Sequence, residues 1–116
     1  KSLAIRKQHL PPNHPDIAAS HNNIGNVYYY LNKYDLAMEH YQQSLEIRLK
    51  SLPSDHPNIA MSYECIALIH EQKGEWKEAL ELFEKALNIF QHSFSSQHPN
   101  VLKVKARIEH VSANLK

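Results

Sequence analysis

Apolar residues recur along the chain at spacings of three and four, in windows separated by short polar breaks. Ile17, Ala18, Ile24 and Tyr28 line one window, and Ala37, Met38, Tyr41 and Leu45 line the next. Ile59, Ala60 and Ile66 repeat the first stripe, and Ala79, Leu80, Phe83, Ala86, Leu87 and Phe90 repeat the second. A 3.6-residue period of this kind predicts amphipathic helices, and the breaks, rich in Asn, Lys, Gly and Glu, predict turns between them. The windows therefore pair into helical hairpins.

The hairpins are copies of one unit. His-Pro stands at His14-Pro15, His56-Pro57 and His98-Pro99, 42 residues apart, each time followed by Asp or Asn and then Ile or Val. Proline suits the first helical turn, where its missing N–H has no partner to lose, so Pro15, Pro57 and Pro99 mark helix starts. The preceding histidine can accept at Nδ1 from a free amide of that turn, and Asp16 sits well at the positive helix end. Residues 1–10 repeat the pattern of a second helix, Ser2, Leu3, Ile5 and Arg6 matching Ser44, Leu45, Ile47 and Arg48. The expected organisation is a single domain over 1–116, cut from a longer protein. It comprises the tail of a preceding repeat (1–13), repeats over 14–55 and 56–97, and a terminal helix over 98–116.

A unit repeated at this period buries its apolar face against its neighbours, so the expected fold class is all-α, an α-solenoid of antiparallel hairpins with about five to six helices. Composition agrees. Only Gly25 and Gly74 are glycines, too few for a sheet protein's turns, and 42% of residues are hydrophobic. The single Cys65 excludes an internal disulfide, and no apolar run approaches the roughly 20 residues of a membrane span, so a cytoplasmic location is expected.

A net charge of +1 provides no attraction for nucleic acid or an anionic membrane. The charges nevertheless fall in blocks: a basic start, an acidic middle that includes Glu64 and Glu71, and a basic last segment with Lys103, Lys105 and Arg107. Solvated helix faces are the simplest account of them. Catalysis finds no support, because two isolated glycines cannot cradle a phosphate and Cys65 with His70 lacks an orienting third group. The nine histidines form no tight ligand cluster, so neither a metal nor another cofactor is expected.

His21-x-x-Ile24-Gly25-x-x-Tyr28 on the first helix and Ala37-x-x-x-Tyr41 on the second resemble the tetratricopeptide repeat; Tyr63-x-x-Ile66-Ala67-x-x-His70 and Ala79-x-x-x-Phe83 repeat the match. Gly25 and Ala67 would allow close helix approach, with Ala37 and Ala79 opposite. The 42-residue period exceeds the family's usual unit of about 34. In this, and in the runs His14 to Ala18, Asn22 to Gly25 and Leu45 to Arg48, the chain is similar to the kinesin light chain subfamily. The last segment departs from the pattern: Glu109 stands at the place of Gly25 and Ala67, so residues 99–116 should form an end cap with no second helix against that side.

The resemblance implies an adaptor or scaffold that binds a short, partly acidic peptide segment in a concave groove lined by the first helices. Helical geometry puts Asn22, Asn23, Asn26 and Tyr30 of the first unit, Glu64 and Leu68 of the second, and Lys103 and Arg107 of the last helix on that face. Asparagines suit a peptide backbone, and the two cations suit a carboxylate. Family members that grip a terminal carboxylate use a set that Asn26, Lys103 and Arg107 match, but Asn22 and Cys65 stand where that set has Lys and Asn, so the full clamp is not expected. The alternative is a regulatory or self-assembling array of a larger, even enzymatic, protein, with homo-oligomers formed through exposed ends.

Overall fold

A computed structural model describes residues 14–115 of the chain. The expected tail of a preceding repeat, over 1–13, lies outside the described residues. Five helices follow one another: α1 (Pro15–Tyr30), α2 (Tyr34–Ser51), α3 (Pro57–Gln72), α4 (Trp76–Ser93) and α5 (Pro99–Leu115). There is no strand among the described residues. The chain forms two compact units that part between Pro53 and Ser54. In the first, α1 packs on α2; in the second, α4 packs on both α3 and α5. No helix among the described residues is long and apolar enough to cross a membrane.

Each first helix starts at its His-Pro. The Nδ1 atoms of His14, His56 and His98 accept from the backbone N–H of Asp16, Asn58 and Asn100, at 3.0, 3.0 and 3.1 Å. The imidazole thus does the work usually given to Ser or Asp at an N-cap, satisfying one of the donors the first turn leaves over. Only a ring nitrogen without a proton can accept. Replacing His56 by alanine is expected to cost about 1 kcal/mol, read as a lower urea midpoint by circular dichroism, with asparagine recovering most of it.

The turns within the two hairpins also coincide. Asn32 and Gly74, one period apart, hold the left-handed conformation at φ 64 and 75. Glycine adopts it without cost and asparagine tolerates it. In each turn the next residue closes the helix end, Lys33 donating to the Tyr28 carbonyl at 2.9 Å and Glu75 to that of His70 at 2.8 Å. His70 Nδ1 and Glu75 Oε1, 2.7 Å apart, brace the second turn further.

In the second unit Ala60, Ala67, Ala79, Phe83, Ala86, Phe90, Val101, Val104 and Val111 form one buried cluster, with Tyr63, Leu68, Trp76 and Leu80 among the half-buried residues against it. In the first, Ile17, Ala18 and Ile47 cluster, and Ala37 and Tyr41 are buried. Gly25 lies against Tyr41: an added Cβ would stand 2.8 Å from two ring carbons and 3.2 Å from the Ala37 carbonyl oxygen. Glu109 is exposed on α5, where a buried carboxylate would have been costly.

Candidate functional site

The residues expected to meet a peptide fall into two groups, one on each unit. On α1, helical spacing turns Asn22, Asn23 and Asn26 to different surroundings. Asn23 is exposed. Asn22, expected to be exposed, is only 8% accessible, and its Oδ1 is buried without a hydrogen-bond partner. Asn26 is half-buried and accepts from the Tyr41 hydroxyl, which ties it to the hairpin's own interior. Tyr30, at the end of α1, is 82% exposed and sits edge-on to Tyr29. A pair that sequence reasoning passed over lies nearby: His21 and His40 face each other with Nδ1 atoms 3.1 Å apart, and Tyr28 stacks on His40.

The second unit brings its expected residues together as ion pairs. Lys103 Nζ stands 3.2 Å from Glu64 Oε2, and Arg107 Nη1 stands 3.5 Å from Glu71 Oε2. His110 Nε2 approaches the same Glu71 oxygen at 3.4 Å. Glu64 and Glu71 lie one heptad apart on α3, and Lys103 and His110 one heptad apart on α5, so each set shares a helix face.

Burial is uneven across these pairs. The cations are substantially exposed, whereas the Glu64 and Glu71 side chains are only 9% and 5% accessible. The expectation that Glu64 and Glu71 are exposed is therefore corrected: both are buried carboxylates under half-exposed cations. Lys103 lies within ion-pair distance of Glu64 Oε2 yet off its hydrogen-bonding direction, and Glu71 Oε1 has no partner. Charge-assisted hydrogen bonds normally run at about 2.7–2.9 Å, so both carboxylates are short of close donors. Leu68, between them, is half-buried and packs against the hydrophobic cluster.

Two of the hollows on this unit bear on the site. One, of about 530 Å³, lies among Glu81, Glu84, Lys85 and Asn88, all exposed on α4. The other, of about 470 Å³, is lined by Glu71, Gln72, Lys73, Gly74, Trp76 and His110. Trp76 meets the His110 ring edge-on there, centroids 6.0 Å apart. The second hollow joins a buried charge to an aromatic surface and could hold a ligand group; the first has neither. Among the described residues no three His, Cys, Asp or Glu side chains are grouped to hold a metal ion.

The two glutamates one heptad apart on α3 and the two cations, Lys103 and Arg107, one turn apart on α5 were visible in the sequence and could have suggested these pairs. Nothing there indicated that the carboxylates, and not the cations, would be the buried partners.

Comparison with known proteins agrees with this architecture. The family model of the tetratricopeptide repeat matches residues 1–50 and 58–107. The crystal structure of nearly identical TPR-like repeats, from a Podosopora anserina protein described as a kinesin light chain, aligns at a TM-score of 0.88 with 26% identity. It covers 97% of this chain and 54% of its own. BtubC (BKLC) from P. vanneervenii aligns at a TM-score of 0.86 over 96% of this chain and 44% of its own; at 21% identity it speaks for the fold alone. The chain thus spans about half the length of the solved chains it matches. No curated protein matches it. With two repeats matched over most of its length and kinesin light chain-like repeats superposing on nearly all of it, the chain belongs to the tetratricopeptide repeat family.

Proposed function

We propose that this chain is a non-catalytic protein-interaction scaffold that captures a short peptide segment with the side chains of its first helices, as an adaptor of the kinesin light chain type. The repeats over 14–55 and 56–97 and the helix over 98–116 each contribute first-helix side chains, in the cytoplasm, where a lone cysteine such as Cys65 stays reduced. The observation that carries the reading is the state of Lys103 and Arg107: each keeps a half-exposed cationic head over a buried glutamate. Cations held in place this way can still donate to a peptide carboxylate on their open side. Asn23, exposed on α1, adds a side chain able to donate to and accept from a peptide backbone.

The test is capture on a peptide array by the wild-type chain and by the Asn23→Ala, Arg107→Ala double variant. Capture is expected to weaken about tenfold or more, the effect of losing one charged contact and one polar contact, with the helical circular dichroism signal kept. Undiminished capture by the double variant counts against the reading.

Self-association is the second reading, favoured by one observation. Val27 is 58% exposed, whereas Ile69, one period later, is fully buried, and Tyr30, Leu31 and Leu36 of the first unit are exposed as well. A concentration-dependent sedimentation coefficient that masks Asn23 would support it.

A further inference from the structure

We propose that the cleft between the α3–α4 turn and α5 receives a basic side chain, arginine or lysine, of the bound segment. The proposal rests on the peptide-binding reading and specifies the chemistry of one anchor. Its starting point is Glu71. A carboxylate buried to this degree is costly unless close donors surround it. Glu71 has Arg107 at 3.5 Å and His110 at 3.4 Å, both on Oε2, and nothing on Oε1. Its negative charge is therefore poorly met, and it lines an open cleft.

The remaining walls favour a cation. Trp76 supplies an aromatic surface of the kind that attracts ammonium and guanidinium groups. Gly74 adds no side chain to the lining, and nothing stands within 4 Å of where its Cβ would be. His110 already shows the required chemistry in outline, one ring nitrogen near Glu71 and the ring in T-shaped contact with Trp76. It is 58% exposed and makes only a long contact to Glu71, so a stronger donor can displace it toward solvent. A guanidinium or ammonium in its place can approach Glu71 at about 2.8 Å, the usual charge-assisted distance. The neighbouring cations Lys73 and Arg107 oppose entry, which limits affinity and makes Arg107 a determinant of sign.

Trp76 is the only tryptophan in the chain, so the cleft carries its own reporter. The 116-residue chain is titrated with Nα-acetyl-arginine amide and with the uncharged isostere Nα-acetyl-citrulline amide, following Trp76 emission. A saturable change is expected with the arginine probe, at an affinity at least tenfold above that for citrulline. Glu71→Gln is expected to weaken the arginine probe at least tenfold, with helical content by circular dichroism as the check on folding. His110→Ala and Arg107→Ala, which change exposed or half-exposed side chains, are expected to tighten it severalfold. Equal response to the two probes, full affinity in a folded Glu71→Gln variant, or weakening by His110→Ala would overturn the proposal.

The two readings fail separately. Peptide capture that depends on Asn23 and Arg107 but ignores Glu71→Gln removes the basic anchor alone. Specific arginine binding with no peptide capture keeps the cleft and removes the wider role. Arg107→Ala also carries opposite signs, weakening an acidic contact and strengthening a basic one.

Discussion

Replacing Phe83 by alanine is expected to remove about 3–5 kcal/mol from the second unit, the range for deleting a buried aromatic ring. Against a domain stability of about 5–15 kcal/mol, such a loss removes a substantial share of the total, and at the low end of that range it leaves a large fraction unfolded. The ring is fully buried and shares its cluster with Ala60, Ala67, Ala79 and Ala86. Alanines have no rotamers with which to close over a void, so on their side the cavity should remain open. Trp76 packs against the same cluster, so urea unfolding followed by its fluorescence reads this unit directly. A loss below about 1 kcal/mol would mean that the helices collapse onto the gap, contrary to the packing described.

The fold was readable from local pattern because every device that builds it is local. The 3.6-residue stripes, the His-Pro starts and the turn residues each act within one helix or one turn, and each is repeated, so one copy checks the other. Even the left-handed pair Asn32 and Gly74 lies in the predicted breaks. The candidate site was less readable, because its features depend on which helix faces which. Helical geometry put Asn22, Asn23 and Asn26 together on one open face, but a few tens of degrees separate an open position from a covered one. Asn23 is exposed, Asn22 is buried, and Asn26 is bound to Tyr41. The charge blocks were visible as blocks. Their pairing of Glu64 with Lys103, and of Glu71 with Arg107 and His110, spans more than thirty residues of sequence and required the positions of α3 and α5.

The repeats also exchange a linked pair of residues that comparing single positions overlooks. Tyr41 with Asn26 in the first unit corresponds, one period on, to Phe83 with Leu68 in the second. A hydroxyl buried beside Asn26 finds an acceptor; beside leucine it would find none, and phenylalanine stands there instead. The two units thus solve the same packing problem once with a hydrogen bond and once without, and Gly25 and Ala67 differ for a related reason.

Gly25→Ala is expected to destabilise the first unit by about 1–3 kcal/mol, the usual cost of overpacking, although alanine is the better helix former by about 1 kcal/mol. The added methyl would meet the Tyr41 ring at 2.8 Å and the Ala37 carbonyl oxygen at 3.2 Å. The oxygen belongs to the helix backbone and cannot move alone. The ring, buried and held through its hydroxyl by Asn26, has little room to turn. In the second unit a methyl is present at the matching place, on Ala67, opposite a phenylalanine that no hydroxyl tethers. Freeing the ring should therefore relieve the clash. Tyr41→Phe alone is expected to cost about 1 kcal/mol, since Asn26 loses its donor, yet in the Gly25→Ala background it should cost less or restore stability. Thermal unfolding of the two single variants and the double variant closes the cycle, with a coupling of at least about 0.5 kcal/mol expected. Strict additivity would locate the obstruction at the Ala37 backbone, and the closeness of α1 to α2 would then be set by the main chain and not by the tyrosine.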